Sequence, residues 1–464
     1  MRVDTICCIG AGYVGGPTMA VIALKCPSIK VIVVDQNADR IDAWNSENLD
    51  LLPVYEPGLR EIIATTRNKN LFFSTQIDEA INASEMIFMA VNTPTKTTGE
   101  GAGMAADLTH VERCARRIAN VATSNKIVIE KSTLPVRTAE KIKSVLSSNT
   151  KVQFEVLSNP EFLAEGTAIE DLFKSDRVLI GGDATPTGQT AVEALVSIYA
   201  QWIPKDKIIT TNVWSSELSK LASNAMLAQR ISSINSLSAL CEKTGASIEE
   251  VAKAIGKDHR IGDKFLNASV GFGGSCFQKD ILNLVYLCQT YGLEEVADYW
   301  HQILKINDYQ KNRFATKIAE SFQGKLHQTN IAILGWAFKK NTNDSRESAA
   351  IYVAAQLLEQ GAQLTVYDPM VAPERIIQDL SLLFEAQNKS QEETEKLLAQ
   401  LAIQSQLFET LTSTNATAIL TEWDEFIEFD WEHFLKSSAP NYLVFDGRNI
   451  INKGISKNIY SIGN

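Results

Sequence analysis

The sequence predicts an α/β chain in which two doubly wound, Rossmann-like domains are joined by a long central helix and a helical segment. Three observations predict it. Short β-type runs alternate with helically spaced apolar residues from Thr5 to Thr210. Helical spacing then takes over from Trp214 to Phe322, broken by one loop from Lys257 to Gly274. The alternation resumes at Ile331. The expected domains are 1–212, 213–323 and 324–464.

At 464 residues the chain is long enough for two or three hydrophobic cores, and 45% apolar with 21% charged residues is ordinary globular usage. Seven cysteines without a Cys-x-x-Cys pair suggest reduced thiols rather than a disulfide framework or a metal site. The N-terminus lacks a basic, apolar leader, and no apolar run approaches the roughly 20 residues of a membrane span. A cytoplasmic protein without a membrane partner is expected. A net charge of −11 with no long Lys/Arg block argues against nucleic-acid binding, so an anionic ligand needs locally placed cations.

In chain order, the run Thr5 to Ile9 leads into Gly10-Ala-Gly12-Tyr13-Val14-Gly15-Gly16-Pro17 and a helical stretch from Thr18 to Leu24. The next apolar run, Val31 to Val34, ends in Asp35. Strand, glycine turn, helix and an acid at this distance form a βαβ dinucleotide site: glycines for the turn and pyrophosphate, a carboxylate for the ribose 2′-hydroxyl. NAD is the expected cofactor, because Asp35 would repel a 2′-phosphate. Arg40 is the one nearby cation favouring NADP, and is read as a ribose or surface contact.

Further runs, Met86 to Val91, Lys126 to Ile129, Val152 to Leu157, Val178 to Ile180 and Lys207 to Thr210, extend a mostly parallel sheet. Ligands bind beyond the carboxyl ends of such strands. Asn92-Thr93-Pro94, Ser132-Thr133 and Ser158-Asn159-Pro160-Glu161 lie there, with Thr93 assigned to the cofactor side. On the central helix, Lys220 and Asn224 share one face within an Ala-, Ser- and Leu-rich stretch.

The decapeptide Gly271-Phe-Gly-Gly-Ser-Cys276-Phe-Gln-Lys279-Asp280 concentrates most of the chemistry. Its glycines allow close backbone approach, and Cys276 precedes a helix whose dipole, with Lys279, favours a thiolate. Beyond it, Ile331 to Gly335, a helix from about Ser348 to Glu359, Leu364 to Tyr367, Ala418 to Leu420 and Leu443 to Phe445 form a second α/β unit without the glycine fingerprint. Residues 383–409 are polar and expected as surface helix and loop.

These stretches, with Asn159-Pro-Glu-Phe-Leu-Ala-Glu-Gly166, Ser215-Ser-Glu-Leu-Ser-Lys220 and Phe338-Lys339, resemble the nucleotide-sugar 6-dehydrogenases over essentially the whole chain. The resemblance implies a four-electron oxidation of UDP-glucose at C6 by two NAD molecules in turn, through a thiohemiacetal and a thioester on Cys276. It implies Lys220 and Asn224 as stabilisers of the substrate oxygen, Asp280 as a proton-transfer carboxylate working with water, Thr133 as a partner of that water, and Glu161 in thioester hydrolysis. Phe162, Leu163, Arg260, Phe265, Phe272, Gly273, Phe338, Lys339 and Arg448 match the nucleotide-sugar pocket, and Glu165 and Arg346 cofactor-side contacts. In the family the equivalent of Arg260 reaches in from a neighbouring subunit, so a homo-oligomer is expected, a dimer or a trimer of dimers. Asn267 stands where relatives carry a lysine. The alternatives are another nucleotide sugar, such as GDP-mannose or a UDP-N-acetylhexosamine, or a non-catalytic sensor.

Overall fold

The computed structural model describes residues 2–464. The chain forms two compact units, one of residues up to Ser223 with Leu282–Tyr291, the other of Asn224–Ile281 with Gly292–Asn464. The division passes through the long helix Val213–Thr244 and through the helix Phe277–Thr290.

The first unit is built on an eight-stranded sheet: β1 (Thr5–Ile9), β2 (Lys30–Val34), β3 (Leu71–Ser74), β4 (Met86–Met89), β5 (Lys126–Glu130), β6 (Phe154–Ser158), β7 (Val178–Gly181) and β8 (Ile208–Thr211). Their order is β3-β2-β1-β4-β5-β6-β7-β8, and all neighbours run parallel except β6 and β7. Helices cover both faces, so the inner strands are apolar throughout rather than alternating. In β1, Ile6 and Cys8 join one buried cluster while Cys7 and Ile9 join the other. The strand order reverses between β1 and β4, which brings Gly10 and the segment after Met89 to the same edge, the usual ligand crevice of this architecture.

The second unit carries a parallel six-stranded sheet: β9 (Asn330–Leu334), β10 (Gln363–Tyr367), β11 (Leu401–Ile403), β12 (Ala416–Ile419), β13 (Leu443–Asp446) and β14 (Ile459–Ser461). Their order is β11-β10-β9-β12-β13-β14. It repeats the first unit's opening. Gly10 (φ 112°) donates to the Val34 carbonyl at 2.8 Å, and Gly335 (φ 93°) donates to the Tyr367 carbonyl at 2.8 Å.

Both Rossmann-like sheets therefore stand as the sequence predicts, with strand ends displaced by one to two residues. Three strands went unread: β3, β11 and β14. The expectation of helix and loop across 383–409 needs correction, because β11 lies within it and pairs with β10. Three residues on a sheet edge, none of them buried, leave no periodic signal.

Gly16, in the helix Gly15–Lys25, has no room for a side chain. A Cβ there would lie 2.2 Å from Cζ2 of Trp44, which is fully buried, donates from its indole to the Ala11 carbonyl at 2.9 Å and stacks on Phe73 at 4.7 Å. Gly16→Ala should destabilise the protein by about 1–3 kcal/mol through overpacking. Urea unfolding reads this directly, and an unchanged midpoint would mean the indole yields without cost.

Candidate active site

The dinucleotide turn follows from sterics. A Cβ on Gly10 would lie 2.3 Å from the Ala90 carbonyl oxygen and one on Gly15 2.0 Å from that of Gly10, whereas one on Gly12 would meet nothing within 4 Å. Gly10 and Gly15 close the turn, and Gly12 faces the space a pyrophosphate needs. No side chain caps the helix at Val14, which leaves its N-terminus to an anion. Asp35 accepts from the Ala11 amide at 3.0 Å and the Asn37 amide at 3.0 Å, and pairs with Arg40 at 3.1 Å. Burial pushes its carboxyl up, but the two amides and Arg40 hold it below the usual carboxylate range. The residues fit a dinucleotide, and Arg40 turns toward the acid rather than away. Tyr13 accepts from the Gly166 amide at 3.1 Å, which ties the turn to the segment bearing Glu165.

Beyond β4 and β5 the threonines meet: Thr93 donates to the Thr133 carbonyl at 3.1 Å. Glu161 lies beyond β6, accepting from the Phe162 amide at 2.9 Å and pairing with Lys131 at 2.9 Å. Burial raises the Glu161 carboxyl, yet Lys131, the amide and the more distant Lys220 bring it below its ordinary value. The Phe162 ring lies 3.9 Å from the Arg177 guanidinium carbon and 5.3 Å from the Lys220 ammonium. Leu163 packs against the first unit's core. One turn before Lys220, Glu217 accepts from the amides of Arg137 (2.7 Å) and Ala139 (2.8 Å), anchoring the start of the long helix. Burial, reinforced by the charge of Glu217, pushes the neighbouring Glu130 carboxyl well up.

In the second unit the glycine loop is held by buried amide side chains. Asn307 accepts from the Phe272 amide at 2.8 Å and donates to the Phe272 carbonyl at 3.0 Å. Gln310 donates to the Ser269 carbonyl at 2.6 Å, and Asn235 accepts from the Ser269 amide at 2.8 Å. The helix Phe277–Thr290 starts immediately after Cys276, whose carbonyl accepts the Asp280 amide at 2.9 Å. Cys276 is the exposed cysteine; the other six are buried. Asp280 is 1% exposed, accepts from the Asn224 side-chain amide at 2.6 Å and lies 3.5 Å from the Lys279 ammonium.

Phe338 and Arg448 also belong together, because Arg448 donates to the Phe338 carbonyl at 2.9 Å and the Leu420 carbonyl at 2.7 Å. Lys339 lies over the Phe338 ring at 5.7 Å. A Cβ on Gly273 would lie 2.5 Å from the Glu347 carbonyl oxygen, and the Gly274 amide donates to the Arg346 carbonyl at 2.8 Å. Arg346 itself is chelated by Asp344, at 2.8 Å through Nε. Arg260 and Phe265 stand apart on an exposed loop. Arg260 is 78% exposed at its side chain and paired with Asp258, Phe265 has φ 60°, and Arg230 braces the loop through the carbonyls of Ile261, Gly262 and Lys264 at 2.8–2.9 Å. Asn267 is exposed on the same stretch.

Sequence reasoning passed over Lys131 and Asn307. Lys131 sits directly before Ser132-Thr133, but a lysine after a strand carries no mark of burial. Asn307 lies in a polar, helically spaced segment where only the fold shows which face is inward.

Two doubly wound sheets, a glycine turn backed by an acid, and an exposed thiol at a helix start define the class: an oxidoreductase that uses a nicotinamide dinucleotide. Family models for the NAD-binding, central and UDP-binding domains of the UDP-glucose/GDP-mannose dehydrogenase family match residues 4–203, 214–309 and 332–453. UDP-glucose 6-dehydrogenase 5 of Oryza sativa subsp. japonica is 56% identical over 99% of this chain and 96% of its own length. UDP-glucose 6-dehydrogenase of Drosophila melanogaster is 58% identical over 96% and 92%. The solved UDP-glucose dehydrogenase of Pyrobaculum islandicum is 30% identical, with a TM-score of 0.82 over 99% of this chain and 97% of that one. This chain belongs to the UDP-glucose/GDP-mannose dehydrogenase family.

Among the described residues no helix is long and apolar enough to cross a membrane, and no group of three or more His, Cys, Asp or Glu is arranged to hold a metal ion.

The two-way bond between Asn307 and Phe272 distinguishes an amide from a carboxylate. Asn307→Asp keeps the acceptor but sets a buried oxygen against the Phe272 carbonyl, and should cost about 1–3 kcal/mol or more for a charged group. Urea unfolding of the variant should show that loss at neutral pH. A variant as stable as the parent would mean the Phe272 carbonyl finds another donor.

Proposed function

We propose that this protein oxidises UDP-glucose to UDP-glucuronate with two molecules of NAD. The carrying observation is the second unit's arrangement: an exposed Cys276 thiol at a helix start, one turn ahead of an Asp280 carboxyl bonded to Asn224. The identity to UDP-glucose 6-dehydrogenases over nearly the full length supports the substrate. The balanced reaction consumes one water and releases three protons with two NADH.

When bound, the nicotinamide accepts hydride from C6 in each oxidation. Lys220 and Asn224 stabilise charge on the substrate oxygen as its proton leaves, and Asp280 takes up that proton through a water that Thr133 helps to place. The Cys276 thiolate adds to the C6 aldehyde to give a thiohemiacetal, whose oxidation gives a thioester. Glu161 serves its hydrolysis, which returns the thiol. A thiol is what a four-electron oxidation needs and a two-electron alcohol oxidation does not.

NAD is preferred over NADP because Asp35 occupies the place of a 2′-phosphate. Phe338, Lys339, Arg448, Phe272 and Gly273 bind the nucleotide sugar, Phe162 and Leu163 meet the sugar end, and Glu165 and Arg346 serve the cofactor. Phe265 lines the nucleotide-sugar pocket, and Arg260 acts in a neighbouring subunit's site within a dimer or trimer of dimers. Trp214, Leu218, Met226 and Leu240 on the long helix are 44–59% exposed, apolar surface of the kind such an assembly covers. The assembly works in the cytoplasm, with 1–212, 213–323 and 324–464 as its functional domains.

Counting NADH released from a panel of nucleotide sugars tests the reading. Two NADH per UDP-glucose are expected, and faster turnover of GDP-mannose or a UDP-N-acetylhexosamine would reassign the substrate. Cys276→Ser should lower turnover by orders of magnitude with little change in substrate affinity, because a serine oxygen is the poorer nucleophile. Near-parental turnover with two NADH per sugar would make Cys276 structural. Asp35→Asn should raise the rate with NADP relative to NAD, and light scattering at assay concentration should find no active monomer.

A further inference from the structure

Lys131 is a buried ammonium for which neither packing nor the reaction outlined above gives a reason. Its side chain is 3% exposed, and its Nζ lies 2.9 Å from Glu161 Oε2, 3.1 Å from Asn159 Oδ1 and 3.3 Å from the Tyr199 hydroxyl. The three contacts use all three ammonium protons. Tyr199 in turn donates to Asn159 Oδ1 at 2.7 Å, and Asn159 donates to the Leu179 carbonyl at 2.8 Å, so the acceptors are themselves fixed. Replacing Lys131 and Glu161 together by apolar side chains would cost little stability, because a buried ion pair rarely repays its desolvation, whereas removing Lys131 alone would leave Glu161 buried without its counter-charge.

We propose that Lys131 is a positioning residue for the hydrolytic step, holding Glu161 charged and in one orientation. This rests on the reading of Glu161 given above. Oε1 of Glu161 accepts from the Phe162 amide at 2.9 Å, and Oε2 takes the Lys131 ammonium and, at 3.4 Å, the Thr18 hydroxyl. The groups facing the carboxylate are thus Lys131 beyond β5, Thr18 on the helix Gly15–Lys25, Lys220 on the long helix, and Tyr199 behind Lys131. Burial would push the Lys131 ammonium down, but Glu161 and Tyr199 more than offset it, so both partners stay ionised at neutral pH. Such a carboxylate is a weak base and no acid. It aligns and polarises water rather than surrendering or storing a proton. Hydrolysis adds that water's oxygen to the thioester carbon, breaks the C–S bond, and releases the C6 carboxylate, the Cys276 thiol and one proton.

The experiment uses the full chain with UDP-glucose and NAD, comparing Lys131→Met, Glu161→Gln and the double variant. Lys131→Met should lower kcat about tenfold or more, let acyl-enzyme accumulate in intact-protein mass spectra, and leave NAD affinity unchanged. Without the ammonium the Glu161 carboxyl rises, so the acidic limb of the kcat profile should move to higher pH by about one unit. The double variant should be no slower than Glu161→Gln alone. If Lys131→Met does not fold, Lys131→Gln, which keeps a neutral donor in place, carries the same comparison. Additive losses, an unmoved acidic limb, or equal slowing of both NADH-forming steps would overturn the proposal while leaving Glu161's role intact. Glu161→Gln turning over without acyl-enzyme accumulation would overturn that role, and this proposal with it.

Discussion

How closely residues 271–274 pass their neighbours is the constraint from which the second unit's chemistry follows. A Cβ on Gly273 would overlap the Glu347 carbonyl, and one on Gly274 would lie 2.9 Å from the Phe338 ring. A backbone that tight cannot be steered by its own side chains. Buried amides on two helices steer it instead, Asn235 on one and Asn307 and Gln310 on the other. Phe272, Phe338 and the helix start at Cys276 are therefore held against one another within the second unit.

The two sheets show one turn put to two uses. In each, a glycine with positive φ follows the first strand and an aspartate ends the second. Asp35 bonds one amide of its turn and keeps a partner in Arg40 that a ribose can displace. Asp368 is consumed: a single oxygen accepts the amides of Trp336 and Ala337, at 2.6 and 3.0 Å, and the Trp423 indole at 3.1 Å. The fully buried Trp336 stands where the first unit has Ala11. The second turn is thus closed by its own side chains, which is the physical content of its missing fingerprint.

The sequence was most legible where backbone geometry demands a particular residue. Glycines at Gly10 and Gly271–Gly274, and an acid at a strand end, are written in the chain because few other residues fit. Inner strands were legible because burial on both faces makes them uniformly apolar, whereas β11, with no buried residue and one neighbour, has no such imprint. The pairing of Asn224 with Asp280 and of Lys131 with Glu161 could not be read, since each joins residues far apart in the chain. A charged residue announces itself in sequence only as charge, and whether it is buried is a property of what folds over it.

The placement of the thiols has a consequence beyond the reaction. Burial pushes Cys26 up to about 11 and Cys114 up to about 12, Cys8 rises further, and Cys7 is held well above its ordinary value. Oxidants and electrophiles react with thiolates, so these sulfurs are shielded by electrostatics as well as by access. Cys276 is the exposed sulfur, so a reagent in solution meets it before the six buried thiols.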